Sequence, residues 1–138
     1  MTEMLLIVKT KGSAVAGRGE WDYTIEYEEP YTDTLITHSN EGAARGTTSR
    51  QMKLMAILRG LEHAKSLEVA DTIIIRSDCE WCVKCLTREY DCVTDDEFKT
   101  DKVTRGYVQY IREIWWKASG LDVRFEVIED SSNGSLAG

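Results

Sequence analysis

Residues 72–86 read TIIIRSDCEWCVKCL. Thr72 to Ile75 is a β-branched run without polar alternation, the pattern of a strand covered on both faces. Asp78 follows at its C-terminal end, where open α/β sheets bind their ligands. A helix is expected next, from about Cys79 to Leu86.

Working outward, Leu5 to Lys9 is an apolar run suited to a central strand, and Trp21 to Glu28 places Trp21, Tyr23, Ile25 and Tyr27 on one face at period two. Thr34 to His38 reads as a third strand, and Gly42 to Thr48 as loop. Thr48 or Ser49 can cap a helix in which Leu54, Leu58 and Leu61 repeat at helical spacing, with Met55 and Ala56 widening the stripe. A longer helix is expected over about Lys102 to Lys117, with Val108, Ile111 and Trp115 inward and Gly120 as its C-terminal cap. Leu121 to Ile128 reads as the last strand. The order is β-β-β-α-β-α-α-β.

Three segments of this chain, LLIVKTKGS (5–13), TSRQMKLMAILRGLEHAK (48–65) and TIIIRSDCEWCVKCL (72–86), together resemble the ribonuclease H-like superfamily, in particular a ribonuclease HI domain. That resemblance implies an α/β fold with a five-stranded mixed sheet in the order 3-2-1-4-5, its second strand antiparallel, flanked by helices. In the family the three segments carry T-D-G-S, R-M-E-L-M-A and T-D-S. Here they read T-K-G-S, Q-M-K-L-M-A and S-D-C. Lys11 and Lys53 therefore stand where two acidic metal ligands are implied, and of the three aligned acids only Asp78 remains.

Such acids hold one or two Mg²⁺ ions that activate water and stabilise the leaving oxygen, and Mg²⁺ requires hard oxygen ligands. The aligned formal charge is +1 here, against −3 in the family's pattern. Two unit charges ~4 Å apart interact by roughly 4 kcal/mol at an effective dielectric near 20, so each ammonium would repel a dication by about twice that. No metal and no cofactor is expected at this position. Both ammoniums are expected to fill the place of the missing ions and to pair with Asp78.

The end of the chain departs from the family too. A His-bearing loop and a helix with a fourth acid would follow the last strand, but the sequence continues EDSSNGSLAG and neither His38 nor His63 lies there. The tail 129–138 is expected to be flexible and to lack the C-terminal helix. The resemblance thus implies a degenerate catalytic site and a pseudoenzyme. The alternative is a metal-dependent nuclease on RNA–DNA hybrids that uses Mg²⁺ or Mn²⁺ with rearranged acids, Asp78 with Glu80, Glu129 or Asp130.

The 138 residues, 42% of them apolar and 30% charged, fit one compact domain over 1–138, and no run approaches the ~18 apolar residues of a membrane span. No secretory signal is evident, so an intracellular, cytoplasmic protein is expected. A net charge of −7 disfavours general attraction to phosphate backbones. Lys9, Lys11, Arg18, Arg45, Arg50 and Lys53 could still gather at one end of the sheet, which leaves a non-cleaving nucleic-acid binder as a further alternative. Where the family often carries a basic protrusion, this chain has REYDCVTDDEFKTDK, dominated by Asp91, Asp95, Asp96 and Glu97. These acids and Trp116, the outward member of the Trp115–Trp116 pair, are the candidate interaction residues. The functional expectation is a protein-interaction module that inhibits or modulates a nucleic-acid enzyme, as a phage or mobile-element protein would.

Cys79, Cys82, Cys85 and Cys92 give C-x2-C-x2-C-x6-C. An iron–sulfur run of this density needs loop geometry, a fourth cysteine three residues on and a following proline, none of which is present. They read as buried structural residues, with disulfides unexpected in a reducing cell although Cys85 and Cys92 could lie near enough to pair. His38 and His63 read as ordinary surface or edge residues. KGSAVAGRGEW reads as a flexible loop and not as a phosphate cradle, because a strand rather than a helix follows it.

Overall fold

The computed structural model describes residues 4–29, 31–89 and 102–128. The described strands are β1 (Leu5–Val15), β2 (Arg18–Glu28), β3 (Leu35–Arg45), β4 (Thr72–Ser77) and β5 (Asp122–Val127), and the helices are α1 (Ser49–Leu67), α2 (Glu80–Leu86) and α3 (Lys102–Ala118). They form one five-stranded mixed sheet in the order β3-β2-β1-β4-β5. Strands β1, β2 and β3 pair antiparallel, while β4 runs parallel to both β1 and β5. The expected order 3-2-1-4-5 is therefore the observed one.

Each strand alternates between two faces. On one, Leu6, Val8, Tyr23, Ile25, Ile73 and Ile75 meet Leu54, Ile57, Leu58 and Leu61 of α1, Cys82 and Cys85 of α2, and Ile111 and Ile114 of α3 in a single buried cluster. The opposite face carries charged pairs, Lys9 with Glu26, Arg76 with Glu126 and Arg124 with Asp122. Helix α1 starts where Thr48 caps it, in a capping box with Gln51. Its contact with β1 depends on Gly12, where a Cβ would fall onto the backbone of Met52 and Lys53. This close approach sets Lys53 beside the sheet.

Three expectations need correction. The stretch KGSAVAGRGEW is not a loop: β1 runs to Val15 and β2 starts at Arg18, joined by a two-residue turn with Ala16 and Gly17 both at positive φ. That is the primed turn geometry that suits the twist of a hairpin. Nor is Gly42 to Thr48 all loop, since β3 extends to Arg45. Finally, Cys85 is disulfide-bonded, while Cys79 and Cys82 are free.

Candidate functional site

The carboxyl end of the parallel strands β1 and β4 gathers the candidate residues. Thr10 and Ser77 are register partners there and both are buried. The Thr10 hydroxyl donates to the carbonyl of Arg76 at 3.0 Å, and Ser77 Oγ accepts from the Cys79 amide at 3.1 Å. These bonds satisfy polar groups at the end of an otherwise apolar core, and they fix the exit of the chain at Asp78.

Lys53 reaches across from the first turns of α1 and donates from Nζ to Asp78 Oδ1 at 2.9 Å. Lys53 is largely covered, with 22% of its side chain exposed, and Asp78 is half exposed. Lys11 behaves otherwise. It lies on the exposed sheet face, its cross-strand neighbour on β2 is Asp22, and none of the ion pairs among the described residues involves it. The expected double engagement of Asp78 is thus corrected to a single one. The cause is the strand's alternation: Thr10 and Gly12 face α1, so Lys11 between them must face away.

Mg²⁺ would need several oxygens at this place. Asp78 offers one carboxylate, and one of its oxygens is engaged by an ammonium at 2.9 Å. Glu80 turns instead to Lys84, at 3.0 Å along the helix. Among the described residues, no three His, Cys, Asp or Glu side chains are placed to share an ion. Among the described residues, the donor set at Asp78 does not fit the ion. Glu129, Asp130, Asp91, Asp95, Asp96 and Glu97 lie outside the described residues.

Beside the ion pair lies a group of residues the sequence did not single out as a unit. Arg50 stacks its guanidinium 4.3 Å from the Trp81 ring centre, Trp81 meets Tyr107 edge-on at 5.4 Å, and the Tyr107 hydroxyl is 3.0 Å from Thr48 Oγ1. Cys79 sits between this group and Lys53 as the N-cap of α2, and its Sγ accepts from the Cys82 amide at 3.3 Å. The hydrogen bond from the Cys82 thiol, with help from the Lys53 and Arg50 charges, lowers Cys79 to about 6. The same contact, and burial, push Cys82 up. Cys82, Cys85 and Leu86 form the buried helical face that was expected, but Cys79 remains partly exposed.

The histidines are not isolated surface residues. His63 Nδ1 and the Tyr23 hydroxyl are 2.7 Å apart, and the His38 and His63 rings are 5.2 Å apart. His38 stacks on Tyr27, with its Nε2 buried and unpartnered among the described residues. Desolvation, and then the charge of His38, lower the His63 pKa. No signal in the sequence joins residues 23, 38 and 63. Trp116 does face outward, 74% exposed, while Trp115 Nε1 donates to the Leu86 carbonyl at 2.9 Å. No helix among the described residues is long and apolar enough to cross a membrane.

This sheet order and helix arrangement are those of ribonuclease H1. Over 94% of this chain and 89% of its own length, the RNase H1 of the halophilic archaeon Halobacterium salinarum superposes with a TM-score of 0.64 at 18% identity. LC9-RNase H1, a type 1 enzyme with the type 2 active-site motif, gives 0.75 at 15% identity, over 93% of this chain and 64% of its own. LC11-RNase H1, solved in complex with an RNA/DNA hybrid, gives 0.63 at 17% identity, over 94% and 89%. No protein-family model and no curated protein matches the chain. The chain has the ribonuclease H-like fold, and identities this low establish the fold alone.

Proposed function

We propose that this chain is a catalytically silent ribonuclease H-like domain, a single unit over 1–138, that acts by binding a protein and thereby inhibits or modulates a nucleic-acid enzyme. The observation that carries the silent site is the Lys53–Asp78 ion pair at 2.9 Å. It sets a cation on the one acid that the three ribonuclease H motifs retain, and Lys11 adds a second positive charge at the same end of β1. Support for a protein partner comes from the net charge of −7, which repels phosphate backbones, and from the exposed Trp116.

A second reading is non-cleaving nucleic-acid binding. It is favoured by Lys11, which is exposed and in no ion pair among the described residues, on a fold whose LC11 counterpart was solved with an RNA/DNA hybrid. Salt dependence separates the two, because each phosphate contact steepens the loss of affinity with rising salt.

The test is calorimetric titration of Mg²⁺ and Mn²⁺ into the wild type and a Lys11→Asp, Lys53→Glu double mutant, with cleavage of an RNA–DNA hybrid measured alongside. A silent wild type with metal binding appearing in the mutant supports the proposal. Metal-dependent cleavage by the wild type overturns it in favour of a nuclease with rearranged ligands.

A further inference from the structure

We propose that Cys79 and Cys82 form a thiol–disulfide exchange site whose substrate is a low-molecular-weight disulfide of the glutathione class. Cys79 is the attacking sulfur and Cys82 the resolving one. The geometry assigns these roles. The pair stands at the cap and third position of α2, close enough for the Cys82 amide to donate to Cys79 Sγ at 3.3 Å, and both thiols are free. Cys79 is partly exposed, whereas Cys82 is fully buried directly behind it. An incoming disulfide meets Cys79 first. Cys85, the next cysteine along the helix, is already disulfide-bonded and does not compete for the second step.

The environment favours a thiolate at the outer position. The hydrogen bonds that Cys79 receives from Cys82 act first, and the positive charges of Lys53 and Arg50, both carried by α1, add to them. Nearby Asp78 would oppose it, but Asp78 is paired with Lys53. The Cys82 thiol supplies a hydrogen bond to the outer sulfur. Reactive cysteines occupy partly exposed, electropositive surroundings of this kind.

The exchange balances without a metal. The Cys79 thiolate attacks one sulfur of RSSR, forming the mixed disulfide Cys79–S–SR and releasing RS⁻. RS⁻ takes the Cys82 proton. The Cys82 thiolate then attacks Cys79 Sγ, closing the 79–82 disulfide and expelling the second RS⁻, which takes a proton from solvent to replace the one Cys79 gave up. Two electrons pass from the dithiol to RSSR, which leaves as two RSH. Lys53 loses one of its two anionic neighbours in the process, which links the redox state of the pair to the ion pair at Asp78. This inference does not depend on the function proposed above.

The test uses the whole chain equilibrated with oxidised and reduced glutathione, with peptide-mapping mass spectrometry to locate every bond. The wild type should close the 79–82 disulfide. Cys82→Ser should stop at a glutathione adduct on Cys79, and Cys79→Ser should leave Cys82 unmodified; Cys82→Ala replaces the serine variant if a buried hydroxyl unfolds the domain. A thiol near 6 is about 30-fold richer in thiolate at pH 7 than an ordinary one at 8.5, but its lower nucleophilicity cancels roughly tenfold of that. The pH profile is therefore sharper than the rate. Alkylation of Cys79 by iodoacetamide should be half-maximal near pH 6, and Arg50→Met with Lys53→Met should move that midpoint upward. Failure of the 79–82 bond to form, modification of Cys82 in Cys79→Ser as fast as Cys79 in the wild type, or a midpoint near 8.5 would each overturn the proposal.

Discussion

Strand β1 shows two contrasting faces within one segment. Toward the helices it presents Leu6, Val8, Thr10 and Gly12, all buried, and away from them it presents Leu5, Lys9, Lys11 and Ser13, all exposed. The two lysines of the candidate site divide along the same line. Lys53 comes from the covered side on α1 and engages Asp78, while Lys11 comes from the exposed side and does not. How a lysine at this end of the sheet is engaged thus depends on the element that carries it. A strand residue is committed to one face by its neighbours, whereas a residue in the first turns of a helix can reach over the sheet's end.

The largest effect should come from closing the gap that makes the covered side work. Gly12→Ala puts a methyl group onto the backbone of α1 at Met52 and Lys53, atoms that cannot rotate away. Overpacking of this kind costs about 2–3 kcal/mol. Ser13→Ala, one residue along on the exposed face, should stay within about 0.5 kcal/mol of wild type. Urea denaturation measures both, and equal midpoints for the two variants would contradict the contrast between the faces.

A second test lies farther along the covered face. Removing the Tyr23 hydroxyl in Tyr23→Phe leaves His63 Nδ1 without its 2.7 Å partner, a loss of about 1 kcal/mol for a partly buried hydrogen bond. The pH dependence has a definite sign. Desolvation and the His38 charge lower the His63 pKa in the folded state, so the unfolded chain takes up that proton first. The His63 contribution is complete above the unfolded value near 6.5 and is lost as pH falls from there toward the lowered folded value. Thermal denaturation between pH 7.5 and 5 should show this decline in the wild type and a shallower one in His63→Gln.

The contrast of faces also explains how much could be read in advance. Strand β4 was legible because Thr72 to Ile75 is β-branched throughout and buried, and α1 because its leucines keep helical spacing. The outer halves of β1, β2 and β3 were not, because KGSAVAGRG and GAAR are small residues of low strand propensity. Their smallness has a structural cause: Gly12 lies under α1 and Gly42 lies under the Trp21 ring, where a Cβ would collide. The Lys53–Asp78 half of the site followed from motif positions. The Lys11 half failed because the motif gives a residue's place along a strand, and the pairing of its side chain depends on which face it occupies. The Tyr23–His63–His38 group joins residues distant in sequence and carried no local signal.

The smallest effects bear most directly on the two lysines. Lys53→Met removes a partly exposed ion pair, which is worth at most about 1 kcal/mol, because half of Asp78 is in water and salt screens the attraction. Lys11→Met should change stability by less than about 0.5 kcal/mol, since no ion pair among the described residues is lost with it. A double-mutant cycle with Asp78→Asn sharpens the contrast. The coupling energy with Lys53 should be measurable at low salt and shrink as ionic strength rises, whereas the coupling with Lys11 should be indistinguishable from zero at both. Equal couplings for the two lysines would mean that Lys11 reaches around the strand end to Asp78 in solution, and that the division between covered and exposed faces does not govern the charges at this site.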